Sequence, residues 1–361
     1  MNKKPETSQS APAVAVVIPC FRSGGSVGSV ISRIPDLVKT IYCVNDASDD
    51  NLPEVLEEIS SANPRVRVLT HDENQGVGGA TVTGYKAAID DGMEIIVKLD
   101  SDGQMNPSLI PALIAPIVQG ESDYVKGNRF FDLESVKTMP KLRLLGNAGL
   151  SFMNKISSGY WHLFDPTNGF TALHAEVARV LPLDKLHKRY FFESDLLFRL
   201  GTLPAAVTDV PMEAIYGDEV SNLREFDALV KFPVLHGKNF FKRLAYNFFL
   251  RDFSTASLYF IVGVILFFFG LFVGITAWIS SAQTGSPATA GTVMLSALPL
   301  LVSIQMLLTF FSYDVASSRR PALFPHIGRV RVLKASSEPA KVLEAGKTVE
   351  TGAPAREKTR R

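Results

Sequence analysis

Between Asp252 and Asp314 the chain contains no Asp, Glu, Lys or Arg. Inside that gap lie two apolar runs, residues 258–279 and 293–311, each close to the roughly 20 residues a helix needs to cross a hydrocarbon layer ~30 Å thick. A helix buried in a soluble core normally keeps one polar stripe, and VGVILFFFGLFVGITAWI has none. The pattern predicts two transmembrane helices within residues 255–313. Their linker, 280–292, is small and uncharged, whereas Lys238, Lys242, Arg243 and Arg251 precede the pair and Arg319 and Arg320 follow it. The positive-inside rule then puts both ends of the chain in the cytoplasm, with the protein multi-pass in the inner membrane. The first residues carry charge without an apolar core of signal-peptide type, which is consistent with a domain that is not exported.

A chain of 361 residues leaves room for a full α/β domain of about 200 to 250 residues ahead of the membrane pair. Short β-rich runs at 13–19, 40–45, 66–70, 94–100 and 123–127 alternate with segments of helical spacing, the pattern of a mostly parallel sheet covered by helices. In such sheets ligands bind beyond the C-terminal strand ends, and that is where the polar clusters fall. After about Met139 the alternation fades into helices and a short strand near 205–211, read as the acceptor half of the same domain. Between 226 and 254, Phe and Leu interleave with Lys, Arg and His. Phe240, Phe241, Leu244 and Phe248 share one helical face with Lys242 and Arg243 off it, as expected of an interfacial helix on a membrane, with a buried amphipathic helix the alternative. The expected division is a flexible 1–12, a catalytic domain 13–225, a membrane-interface segment 226–254, the membrane pair 255–313, and a cytoplasmic, partly disordered tail 314–361. Cys20 and Cys43 read as two buried thiols. A net charge of +1, without a basic stripe outside the membrane flank, excludes nucleic acid as the expected partner.

Two clusters carry candidate chemistry. Asp100-Ser101-Asp102, followed by Gly103, Gln104 and Pro107, ends an apolar strand. Carboxylates in such a place are costly unless paired or metal-bound, and two of them can present oxygens to one divalent cation that also takes pyrophosphate oxygens. A solvated acidic turn is the alternative. The run Asn45-Asp46-Ala47-Ser48-Asp49-Asp50 follows another strand, where an acid can accept hydrogen bonds from a ribose or base or simply cap the next helix. The dinucleotide fingerprint G-x-G-x-x-G, the Walker A loop and H-E-x-x-H are all absent.

The ordered set VVIPCF, VNDASDD, ENQGVGGA, VKLDSDGQMNP, GNR, DPTNGF and FFESDLL resembles the family 2 glycosyltransferases of GT-A fold. Among them it is most similar to polyprenyl-phosphate glycosyltransferases of the dolichol-phosphate mannose synthase type and their bacterial membrane-bound relatives. The resemblance implies that Pro19, Phe21, Asp46, Asp100, Ser101 and Asp102 line the nucleotide-sugar site, and that Asp100, Asp102 and Gln104 hold Mg²⁺ or Mn²⁺. Arg129, with Lys126, would bind the acceptor phosphate, and Asp165 would sit near the reacting centre. The family's P-x-Y-N-E start is Pro19-Cys20-Phe21-Arg22-Ser23 here, so its Glu contact is missing. The acidic pair becomes Asn45-Asp46, and the Q-x-x-R-W motif of processive synthases is absent.

The resemblance further implies inverting, metal-dependent transfer of one sugar, from a UDP-sugar in preference to a GDP-sugar, to a polyprenyl phosphate on the cytoplasmic face. A homo-oligomer is expected through the membrane-proximal helices. The alternative acceptor is a hydroxyl of a lipid-diphosphate-linked oligosaccharide. A phosphate acceptor, largely dianionic at neutral pH, needs no strong base. A hydroxyl would need one, with Asp165 or Glu193 the candidates. On that logic Asp165→Asn should cost less than Arg129→Ala if the acceptor is a phosphate. A non-catalytic scaffold and a transporter are weaker alternatives, because both metal-site carboxylates are present and the membrane helices lack ionisable groups.

Overall fold

The computed structural model describes residues 11–130, 141–165, 167–212, 225–328 and 331. The flexible start and most of the tail expected from sequence lie outside the described residues. Strand β1 (Val14–Cys20) is buried along its whole length, as a strand covered on both faces must be. Beside it run β2 (Val38–Asn45), β3 (Val66–Thr70), β4 (Ile95–Lys98), β5 (Tyr124–Asn128), β6 (Thr171–His174) and β7 (Val207–Pro211). The described residues form a seven-stranded sheet in the order β3-β2-β1-β4-β6-β5-β7. All neighbours are parallel except β6, which runs antiparallel to both β4 and β5.

Alternate residues of β1 face opposite layers, as the two-residue period of a strand requires. Val16 and Ile18 pack with Val27 and Val30 of α1 (Val27–Ser32), Leu52 and Leu56 of α2 (Leu52–Ala62), and Leu113 of the later helix α4 (Ile110–Val118). Ala15 and Val17 pack on the other side with Ala80 and Tyr85 of α3 (Val77–Asp90). Cys20 and Cys43 are free thiols in this interior. Two further helices, α5 (Lys141–Ser158) and α6 (Ala175–Val180), lead to α7 (Phe192–Thr202), and α5 packs against α7 and against α8 (Glu225–Ala245).

Helix α8 runs on through a wider turn, Tyr246–Arg251, to the paired helices α9 (Thr255–Thr284) and α10 (Ala290–Ala316). At 30 and 27 residues and ~1.5 Å per residue, both are long enough to cross a membrane. Only 11% of each apolar window is buried, so they are not core helices. They approach each other closely where Gly270 faces Leu300 and the Ser296 carbonyl, and Ser296 Oγ donates to the Gly270 carbonyl at 2.9 Å.

Of the two readings of α8 the structure shows the buried one for Leu244 and Phe248, with the half-buried Phe240 packed against them, whereas Phe241 is turned outward. Leu244 and Phe248 are buried with Ala256 and Phe310, and Arg243 is buried too, its Nη1 and Nη2 donating to Asp314 Oδ1 and Oδ2 at 2.7 and 3.0 Å. The exposed surface carries Val234, Phe241, Tyr246 and Leu250 together with Lys238 and Lys242. Asp314, in the last turn of α10, thus meets Arg243 on the inward side of α8. Arg243 is thereby removed from the positive flank counted in the topology rule, while Lys238, Lys242, Arg251 and Arg319 remain exposed.

Candidate active site

The C-terminal ends of β1, β2, β4 and β5 bring the candidate residues to one edge. Pro19 is buried in β1 opposite Val44. Phe21, 40% exposed, follows the strand, with the Arg22 guanidinium 5.1 Å from its ring centroid. Arg22 also takes Asp49 in a two-bonded fork of 2.7 Å each, and its backbone N–H donates to Ser48 Oγ. The β1 and β2 exit loops are therefore latched together.

Asp46 is placed differently from the expectation that it meets the nucleotide directly. Its carboxylate is buried and accepts the N–H groups of Gln75 and Gly76 at 2.8 and 2.7 Å, with His71 Nδ1 at 2.7 Å. It orders the loop that opens α3. Those two N–H groups belong to the residues just ahead of Val77, where the helix starts; inside its first turn, where N–H groups have no intrahelical partner, those of Gly78 and Gly79 go to the Lys188 carbonyl at 2.8 and 3.1 Å.

Beyond β4, the Ser101 carbonyl accepts from Ser26 Oγ at 2.7 Å, and Asp102 Oδ1 accepts the Gln104 N–H at 2.9 Å. Gly103 takes φ +78°, which lets the chain turn sharply. Asp100 and Asp102 both stay partly exposed. Lys98, two residues before Asp100, was not singled out from the sequence. Its Nζ donates to Asp100 Oδ1 at 2.6 Å and lies 3.1 Å from Glu193 Oε1 on α7, with 1% of its side chain exposed. Burial alone would depress its pKa, but the Asp100 and Glu193 carboxylates outweigh burial and raise it, so the ammonium is fixed. A charge inside the apolar run EIIVKL was the signal that could have found it.

The segment leading into β6 completes the site. A Cβ on Gly169 would overlap both the Asp100 carboxylate and Lys98 Nζ, so only glycine lets this segment come so close. Asn168 holds it from the other side, donating from Nδ2 to the Gly127 carbonyl at 2.8 Å and accepting the Lys126 ammonium at its own carbonyl at 2.7 Å. Lys126 is buried, and burial lowers its pKa to about 8 against the opposing pull of Asp165 and Glu193. Arg129 forks onto Asp165, Nε to Oδ2 at 2.8 Å and Nη2 to Oδ1 at 3.0 Å. Burial pushes the Asp165 pKa up, yet the Arg129 hydrogen bonds and charge prevail and lower it. Asp165 is thus an ionised carboxylate with both oxygens engaged. Asp195, near Glu193, is structural, accepting from the His187 N–H, Arg199 Nε and Asn239 Nδ2.

This arrangement brings the Asp100 and Asp102 carboxylates, the buried Lys126 and the Arg129–Asp165 pair to the strand ends, where α/β sheets bind ligands. Residues 15–181 match the family model described as Glycosyl transferase family 2. The chain carries a family 2 glycosyltransferase domain. This glycosyltransferase is 29% identical over 236 residues, covering 62% of its length and 93% of the relative's, to a UDP-N-acetylglucosamine--dolichyl-phosphate N-acetylglucosaminyltransferase of Methanococcus voltae. It is 28% identical to an undecaprenyl-phosphate mannosyltransferase of Micrococcus luteus, covering 55% of this chain and 82% of that one. A dolichol-phosphate mannosyltransferase of Pyrococcus furiosus is 30% identical, with 50% of this chain and 51% of the relative covered. The family match ends one residue beyond α6, so Glu193 and everything toward the apolar helices lie outside it.

Proposed function

We propose that this glycosyltransferase moves a single sugar, in one inverting step, from a nucleotide-sugar to a polyprenyl phosphate held in the membrane by its lipid tail. The observation that carries the choice of acceptor is that both candidate bases are already ion-paired, Asp165 with Arg129 and Glu193 with Lys98. Asp165, whose pKa the Arg129 contacts lower, is a poor base at neutral pH. A phosphate monoester, with a second pKa of about 6, arrives already charged and needs none. Its needs are cationic, and Lys126 and Arg129 supply them at the β5 exit. The names of the three relatives agree with this acceptor class.

Asp100, Asp102 and the Gln104 amide are hard oxygen donors of the kind Mg²⁺ and Mn²⁺ prefer. No group of three or more His, Cys, Asp and Glu gathers to hold a metal among the described residues, so the donor's diphosphate is assigned the remaining coordination. When bound, such a cation stabilises charge on the departing diphosphate. Around it, Asp165 holds the Arg129 fork in place, Asp46 orders the 74–76 loop, and Phe21 with the latched 22–50 loops borders the nucleotide pocket. The M. voltae relative is named for a UDP-sugar, and UDP-sugars are the donors to test first.

The apolar helices α9 and α10 would cross the inner membrane, with the catalytic domain on the cytoplasmic side where Lys238, Lys242, Arg251 and Arg319 lie. The exposed Val234, Phe241 and Leu250 face would rest on the lipid surface. The test is transfer of labelled sugar from a panel of UDP- and GDP-sugars to undecaprenyl phosphate, followed into the organic phase with Mg²⁺ or Mn²⁺ and with Asp102→Asn as control. Label in the lipid that needs the metal and disappears in the variant supports the proposal. A protein that binds nucleotide yet labels no lipid phosphate with any donor overturns it in favour of a lipid-linked oligosaccharide hydroxyl.

A further inference from the structure

The proposed reaction assigns no task to Lys98. Its strand neighbours Ile95, Ile96 and Val97 are fully buried aliphatics, and a methionine would occupy similar space without the several kcal/mol that removing an ammonium from water costs. The side chain instead brings a fixed positive charge to 2.6 Å from Asp100 Oδ1, with Glu193 Oε1 at 3.1 Å and the Gly169 carbonyl at 3.5 Å. Asp100 is thereby tethered through one oxygen and its charge is compensated in advance.

We propose that Lys98 is a positioning residue that acts as a standing counter-cation at the donor site. It holds Asp100 in one orientation and lowers the site's attraction for a divalent cation until the nucleotide diphosphate brings further negative charge. Cation and donor then bind as a pair, and the cation leaves readily with the nucleoside diphosphate. The inference rests on the reading of Asp100 and Asp102 as the cation-binding pair. Without Lys98, Asp100 would lose its tether and the Asp100 and Asp102 carboxylates would meet the cation with that ammonium's charge removed. The nucleotide-free site would then bind it tightly.

The experiment is Mn²⁺ binding to the full-length protein in detergent, read from the free-ion magnetic resonance signal with and without UDP. It compares the wild type, Lys98→Met, the double variant Lys98→Met/Glu193→Gln, and Asp102→Asn. Removing a unit charge within a few ångströms of the cation should tighten UDP-free Mn²⁺ binding by on the order of tenfold in Lys98→Met. The gain on adding UDP should shrink, and in turnover assays KM for Mn²⁺ and kcat should fall together. The double variant removes the ion pair evenly and guards against a destabilised single variant; it should still bind Mn²⁺ without UDP more tightly than the wild type. If neither Lys98 variant tightens UDP-free binding while Asp102→Asn abolishes the UDP-dependent part, Lys98 only fastens α7 to the sheet and the inference falls. If Asp102→Asn binds Mn²⁺ with UDP as the wild type does, the cation-pair reading itself fails and takes the inference with it.

Discussion

The fork between Arg129 and Asp165 changes what substitutions at either position report. From sequence alone the two are independent, a phosphate binder and a possible base, and their relative cost is expected to identify the acceptor. In the structure each completes the other, so Arg129→Ala and Asp165→Asn should each lower kcat/KM by about a hundredfold, and the double variant should lose little more. A double-mutant cycle on transfer rates should give a coupling of about 2 kcal/mol; additive losses would show that the two act separately. Lys126 makes a pH prediction. Its folded pKa of about 8 lies below the ~10.4 of an unfolded lysine, so the folded state sheds this proton first. Its contribution to stability therefore rises with pH between those two values. On the proposed role of the ammonium in acceptor binding, catalysis should change the other way. The kcat/KM for lipid phosphate should fall as pH passes about 8, and that limb should vanish from the profile of Lys126→Gln.

At the scale of elements, the short antiparallel strand β6 decides the site. By entering between β4 and β5, it carries Asn168 and Gly169 onto Asp100 and Lys98. Gly169→Ala should displace the Asp100 carboxylate or the loop. A loss of about a hundredfold in kcat is expected, the scale of a 1 Å misplacement, with the domain still folded by circular dichroism. The longer elements were legible beforehand because their periodicity is local: α2, α3, β2 and β3 stand close to where hydrophobic spacing put them. β6 is only four residues long, too short to carry a period, and lies where the alternation had faded. Whether the apolar face of α8 meets lipid or protein is left open by the sequence for a related reason. Two apolar stripes fit the same helix, and the choice between them came from a partner on α10.

For the molecule as a whole, the question is how a sheet domain is held against two helices with little cover of their own. Asp314 near the end of α10 is buried and takes both Arg243 and the Trp161 indole N–H, the latter at 2.9 Å. Past α10, the Leu323 and Phe324 N–H groups reach the Asp123 carboxylate at the start of β5, at 2.8 and 2.7 Å. The helix pair is thus fastened to the domain on both flanks. Replacing one member of a buried ion pair leaves the other uncompensated, so Arg243→Met should destabilise by about 3 kcal/mol. Arg243→Met/Asp314→Leu should recover most of that in thermal unfolding in detergent. If the fastening also aligns the site with the bilayer, Arg243→Met should slow transfer to a long-chain acceptor more than to a short, water-soluble one.

The sequence by itself determined the α/β class, the strand-end location of the site, the Asp100 and Asp102 pair, and the two helices long enough to cross a membrane. Each of these follows from local composition and spacing, and the residues concerned are neighbours along the chain. Tertiary structure alone decided which charges meet. Lys98 found Glu193, Arg129 found Asp165, Asp46 turned to the loop before α3, and Arg243 met Asp314 across 71 positions. Such pairs are set by how helices and strands pack to bury apolar surface, and a buried charge then takes whatever opposite charge that packing brings within reach.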